Sequence, residues 1–194
     1  IASLALGLEM PDGSGVHGPI IGRGSFIPPN VRNTDKETGQ GDKPVAFWTF
    51  GAQAVEIEID TETGQIEVIK VAAAYDVGKA INPQLCKAQI EGGIVQGLGS
   101  ALLEHQIMDK GKVLNPNFVD YKIPAVRDVP EMIVRIVEVP EETGPYGARG
   151  VGEPAMVPTA PAIANAIYDA LGVRINTLPL TAEKVLKAIK EKQN

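Results

Sequence analysis

The chain has 194 residues, 44% of them hydrophobic, enough to bury a core without calling for a second domain. With 18 basic and 24 acidic residues it carries a net charge of −6, which argues against a nucleic-acid or anionic-membrane surface. Its single cysteine, Cys86, rules out an intrachain disulfide, a four-cysteine zinc site and an iron–sulfur cluster held by this chain alone.

No apolar run approaches the ~20 residues that span a membrane. No basic region opens the chain, and the expectation is a cytoplasmic setting without a signal peptide. The first residue is Ile1 and not Met, which reads as a fragment or excised domain. A single domain over 1–194 is expected, with a loop-rich entry over 1–44 and a main body over 45–194.

The entry is rich in Gly, Pro, Asn and Asp, with short apolar pieces at Ile1 to Leu8 and Pro19 to Ile21. His17 lies there without a second ligand at metal spacing and reads as a surface histidine. Val45 to Phe50, β-branched and aromatic, predicts a strand. Val55, Ile57 and Ile59 alternate with acidic residues, the period of a half-buried strand. Asp60 to Gly64 supplies a hairpin loop and Ile66 to Ala74 the return strand. A change of phase between Val68 and Ile69 points to a bulge or to burial on both faces.

Asn82-Pro83 has the form of a helix N-cap with proline at the first position. The helix is expected to run to about His105, with Ile90, Ile94, Leu98 and Leu102 as its apolar stripe. Its other side carries Gln89, Gly92, Gly93, Gln96, Gly97 and Ser100. Each glycine costs a helix about 1 kcal/mol against alanine. The space they leave serves either close packing or a ligand, with Gln89 and Gln96 offering amides to a polar cofactor. Asn115 to Pro124 predicts a loop and short strand with Tyr121 and Ile123 buried, and Met132 to Val139 a further strand.

Gly144 to Pro161, GPYGARGVGEPAMVPTAP, holds four glycines and four prolines and predicts an irregular loop. A loop of this kind fixes a carboxylate while letting backbone approach a ligand, which makes Glu153 the candidate reacting group. The alternative is a surface turn that contains a glutamate. Arg149 either steers an anionic substrate or pairs with a nearby acid. Beyond the loop, Ala160 to Leu171 reads as a helix ended by Gly172, and Thr181 caps a last helix that turns Val185, Leu186 and Ile189 inward. Helices mixed with antiparallel or mixed strands indicate the α+β class.

The glycine spacing at Gly147, Gly150 and Gly152 is not that of a dinucleotide-binding turn, and P-loop and Gly-x-Ser-x-Gly patterns are absent. Gly147-Ala-Arg-Gly-Val-Gly-Glu-Pro154 and Leu178-Pro-Leu-Thr-Ala-Glu-Lys-Val-Leu186 resemble the molybdenum-binding subunit of the xanthine dehydrogenase/aldehyde oxidase family, toward its C-terminal end. Asp76 to Pro83, Gln89 to Gly99 and Asp120 to Pro124 resemble that family's patterns in the same order.

The resemblance implies oxidative hydroxylation of an aldehyde or N-heterocyclic carbon. It makes Glu153 the catalytic base and Gln89 a contact to the pterin; from the residues alone, Gly92 and Gln96 on the same side of the helix are further candidates for binding the cofactor. Ala88 stands where the family has a glycine. The implied cofactor is molybdopterin in its cytosine dinucleotide form, bound without side-chain metal ligands and shared with parts outside this chain. Iron–sulfur centres and FAD would lie on partner domains or subunits. A non-catalytic cofactor half-site that docks to other subunits is the alternative, and the isolated chain is expected to be inactive.

Overall fold

The computed structural model describes residues 21–29 and 31–193. His17, the Ile1 to Leu8 piece and most of the Pro19 to Ile21 piece lie outside the described residues. The central sheet has three strands, β1 (Gly51–Ile59), β2 (Ile66–Asp76) and β5 (Glu131–Val137), in the order β1-β2-β5. Two short strands, β3 (Met108–Asp109) and β4 (Lys112–Val113), form a separate hairpin that the sequence patterns did not announce. The helices are α1 (Pro83–Leu98), α2 (Thr159–Leu171) and α3 (Ala182–Gln193). The class is α+β, as expected.

β1 and β2 form the expected antiparallel hairpin, closed by Gly64 at φ 78°. Glu56 faces Lys70 while Ile57 faces Val68, so Ile69 is the extra residue of a bulge. The mid-strand change of phase was therefore a bulge: one inserted residue exchanges the two faces of a strand. β5 joins β2 in parallel, from Lys70 opposite Glu131 to Asp76 opposite Val137, so the sheet is mixed.

One face of β2 supplies Val71, Ala73 and Tyr75 to the core, where they meet Ile90, Ile94 and Leu98 of α1 and Ile163 and Ile167 of α2. Each such buried aliphatic side chain contributes about 1.5–3 kcal/mol. α1 packs against β5, and α2 against β1. Asn82 caps α1 as predicted, its Oδ1 accepting from Leu85 N at 3.1 Å. Gly172 ends α2 at φ 64°, and Thr181 Oγ1 caps α3.

Four expectations need correction. Val45 to Phe50 is not a strand, because β2 leaves the ladder at Asp76 and the last bond is Asp76 N to Phe50 O, 2.9 Å. The helix from Pro83 stops short of His105: a π-helical turn over Gly99–Leu103 closes it, with Glu104 N donating to Gly99 O. Residues 115–124 contain no strand; Tyr121 is half-buried and Ile123 is exposed. Lacking a partner strand, that segment is tied instead by side chains, Tyr121 OH donating to Glu104 at 2.7 Å. Finally, α2 already starts at Thr159, so Pro161 lies in its first turn, where a missing N–H breaks no helical bond. No helix among the described residues is long and apolar enough to cross a membrane.

Candidate active site

The glycine-rich stretch is pinned to the end of β2. Gly78 and Gly147 both take left-handed backbone, at φ 65° and φ 81°, where an L side chain is strained. This lets the two chain segments meet: Gly147 O accepts from Lys79 N at 2.7 Å and from Glu141 N at 3.0 Å, while Arg149 N donates to Val77 O at 2.8 Å.

Arg149 then reaches back under the loop. Its Nη1 donates to Trp48 O at 2.7 Å and pairs with Glu141 Oε2 at 2.8 Å. Nε lies 3.1 Å from Asp76 Oδ2 but off the line of a hydrogen bond, so that contact is one of charge. The guanidinium also stands 5.6 Å from the Phe47 ring and 6.0 Å from the Phe50 ring, within cation–π range. Its side chain is only 9% exposed, and its partners are structural acids. Of the two readings of Arg149, pairing is the one observed.

Asp76 is fully engaged, its Oδ1 also accepting from Gly78 N at 2.9 Å and Val139 N at 3.1 Å. Hydrogen bonds from the Thr143 hydroxyl and amide, helped by the Arg149 charge, hold the Glu141 carboxyl below the usual range.

Glu153 differs from these acids. It is exposed, and its carboxylate makes no hydrogen bond or ion pair with a described residue. Its backbone is nevertheless ordered: Glu153 O accepts from Met156 N at 3.0 Å, closing a β-turn with Pro154 at the second position, where proline is favoured. Two residues on, Ala155 is buried and its carbonyl accepts from Gln53 Nε2 at 2.6 Å and Thr159 Oγ1 at 3.1 Å. Gln53 Nε2 also donates to Tyr75 OH at 2.8 Å, the single Thr159 hydroxyl proton is shared between Ala155 O and Gln53 Oε1, 3.0 Å away, and Tyr75 OH stands 3.5 Å from Ala155 O as a third donor. Burial raises the Tyr75 phenol pKa, and the Gln53 bond offsets part of that rise.

The loop packs onto the glycine side of α1. A Cβ on Gly93 would stand 2.9 Å from Ala155 Cβ, and one on Gly97 would stand 2.5 Å from Thr159 Cβ. Those two glycines therefore serve packing. Gly92 faces open space, with no atom within 4 Å of a built Cβ. Gln89 and Gln96, three residues before it and four after it, share that exposed side, and neither side-chain amide has a partner among the described residues. Gln89 Oε1 lies 3.9 Å from where a Cβ on Gly152 would be, which places it beside the Glu153 turn. The packing reading holds for Gly93 and Gly97, while Gly92 leaves open space on another side of the helix.

Gln89, Gly92, Gln96 and Glu153 thus line one open surface of unpartnered amides, a bare helical backbone and a free carboxylate. This donor set fits a polar organic cofactor with many hydrogen-bonding edges. Among the described residues no cluster of three or more His, Cys, Asp or Glu could hold a metal directly. Two open clefts lie away from this surface: one of about 300 Å³ bounded by Gln106, Asn115, Phe118 and Tyr121, and a larger one between the β1–β2 loop and Arg127 to Glu131. Neither touches Glu153 or Gln89.

Gln53, Asp76 and Thr159 escaped the sequence reading as site residues. One signal for Gln53 was present: carried back from Val55, the period-2 pattern puts this amide on the inward face, where a polar group demands a partner.

Residues 9–130 match the model of the molybdopterin cofactor-binding domain. Over 138 residues the chain is 39% identical to the xanthine dehydrogenase molybdenum-binding subunit of Escherichia coli, covering 70% of this chain and 18% of the relative. It is 37% identical to the nicotine 6-hydroxylase large subunit of Paenarthrobacter nicotinovorans, covering 74% and 18%. Aldehyde oxidoreductase from Desulfovibrio gigas superposes with a TM-score of 0.73 at 36% identity, over 82% of this chain and 17% of that one. The chain thus spans about a fifth of the length of the curated relatives it matches. With family model, relatives and solved structures in agreement, the chain belongs to the molybdopterin cofactor-binding domains of the xanthine dehydrogenase/aldehyde oxidase family.

Proposed function

We propose that this chain, as one domain, forms one wall of the molybdenum-cofactor site in an enzyme that oxidatively hydroxylates an aldehyde or an N-heterocyclic carbon, with Glu153 as general base. The observation that carries the reading is the contrast within one loop: the Arg149 side chain is fully engaged, while the Glu153 carboxylate has no partner among the described residues, on a turn whose backbone is held and beside Gln89. The names of the relatives, a nicotine hydroxylase and an aldehyde oxidoreductase among them, support the substrate class.

Gln89 and Gln96 would hold the pterin by their side-chain amides, and Gly92 would let it lie close to the helix backbone. When bound, the cofactor, taken to be the cytosine dinucleotide form, supplies Lewis acidity and a two-electron sink. Glu153 would accept, at a carboxylate oxygen, the proton given up by the attacking oxygen as the new carbon–oxygen bond forms and the substrate carbon–hydrogen bond yields its two electrons to that sink, a role that requires a carboxylate not engaged by protein cations. Iron–sulfur and FAD centres on partner domains or subunits would carry the electrons onward, in a cytoplasmic complex. Alone, a chain with a fifth of its relatives' length would be inactive.

The test is Glu153→Gln in the complete, cofactor-loaded enzyme. This change keeps size and hydrogen bonding but removes the proton acceptor, so kcat should fall at least ~100-fold, as for a lost general base. Molybdenum content and melting temperature should not change. Near-wild-type kcat would remove Glu153 from the chemistry.

A further inference from the structure

Proline at 158 lacks the N–H that would bond Pro154 O, and Thr159 N turns to Met156 O at 3.3 Å. The Ala155 carbonyl, at the entry of α2, is thus left to side chains, and buried carbonyls need partners. Gln53 supplies the shortest of them, 2.6 Å, from a strand 102 residues away in sequence. Its other bonds, to Tyr75 and Thr159, fix the amide plane in both directions.

The consequence reaches Glu153. Pro154 has its φ locked near −65°, and a residue before proline is confined to extended backbone. With Ala155 pinned and Met156 N bonded to Glu153 O, few soft torsions remain between the pinned carbonyl and the Glu153 Cα. Gly150 and Gly152, on the other side, leave the chain free to follow. We propose that Gln53 is the positioning residue for Glu153: through Ala155 and the Pro154 turn, it sets where the carboxylate stands relative to the Gln89 face. This rests on Glu153 being the base.

Misplacement of a reacting group by about 1 Å costs up to ~100-fold in rate. Gln53→Met keeps length and volume but removes both donor and acceptor. In the complete, cofactor-loaded enzyme we expect kcat to fall about tenfold or more, with KM for substrate and molybdenum content unchanged. Hydrogen exchange at the Met156 amide, which reports the turn without reference to activity, should quicken about tenfold while α2 amides from Ile163 onward keep their protection. In the Glu153→Gln background, Gln53→Met should lower kcat no further.

Unchanged exchange at Met156, unchanged kcat, or additive losses in the double variant would each overturn the proposal. Loss of protection throughout α2 would overturn it too, showing a scaffold role. If Glu153→Gln alone retains kcat, the base reading itself fails, an outcome separate from any result with Gln53→Met.

Discussion

The two sides of the unit made by α1 and the glycine-rich loop are built from the same residue types to opposite ends. On the packed side, Gly93 and Gly97 admit Ala155 and Thr159, and Arg149 is enclosed by Asp76, Glu141 and two aromatic rings. On the presented side, a Cβ on Gly92 would meet nothing, and the side chains of Gln89, Gln96 and Glu153 have no partners among the described residues. A glycine in a helix or a charge in a loop therefore does not declare its role by its type. What decides is whether protein or open space stands over it.

The sharpest way to break this comparison is to set Arg149→Met against Glu153→Gln, four residues apart. Removing Arg149 leaves two acids near each other without their cation. Unfolding stability should drop clearly, because the enclosed guanidinium is the common partner of Asp76 and Glu141. Glu153→Gln should shift it by less than about 0.5 kcal/mol, as for ordinary surface changes. Equal effects in thermal unfolding would erase the distinction.

The glycines give a smaller contrast of opposite sign. Gly97→Ala must displace Thr159 and should destabilise by about 1–3 kcal/mol, as overpacking does. Gly92→Ala meets no atom and should stabilise by up to about 1 kcal/mol through helix propensity, while weakening cofactor retention in the assembled enzyme. Denaturant midpoints read the first two effects and molybdenum content the third.

The smallest expected effect concerns acid. The Glu141 carboxyl is held low in the folded state, chiefly by Thr143 and then by Arg149, so its contribution is present above the unfolded glutamate pKa, about 4.3. It is lost as pH falls through the lower folded value. Glu141→Gln should therefore flatten the acid limb of stability below pH ~4.3 and leave the slope near neutrality unchanged.

Much of the architecture was legible because it depends on neighbours in the chain. The period-2 runs found the hairpin, the altered phase at Ile69 found its bulge, and Asn82-Pro83 found the start of α1. Where the expectations failed, the missing information was a partner. Val45 to Phe50 has the composition of a strand but no strand beside it among the described residues, and α1 ends in a π turn where Glu104 binds Tyr121. Gln53 was missed although it continues the period of Val55 and Ile57, and its partner at Ala155 could not be read from any pattern.

By itself, the amino-acid sequence determined the class of the fold, the candidate carboxylate and the family, since motif order, local propensity and hydrophobic period are properties of the chain alone. Only the tertiary structure decided which glycines pack and which stay bare, that Arg149 belongs to Asp76 and Glu141, and that the Gln53 amide meets the Ala155 carbonyl. Those assignments depend on contacts between residues up to about a hundred positions apart, and no local rule encodes which buried carbonyl a distant amide will meet.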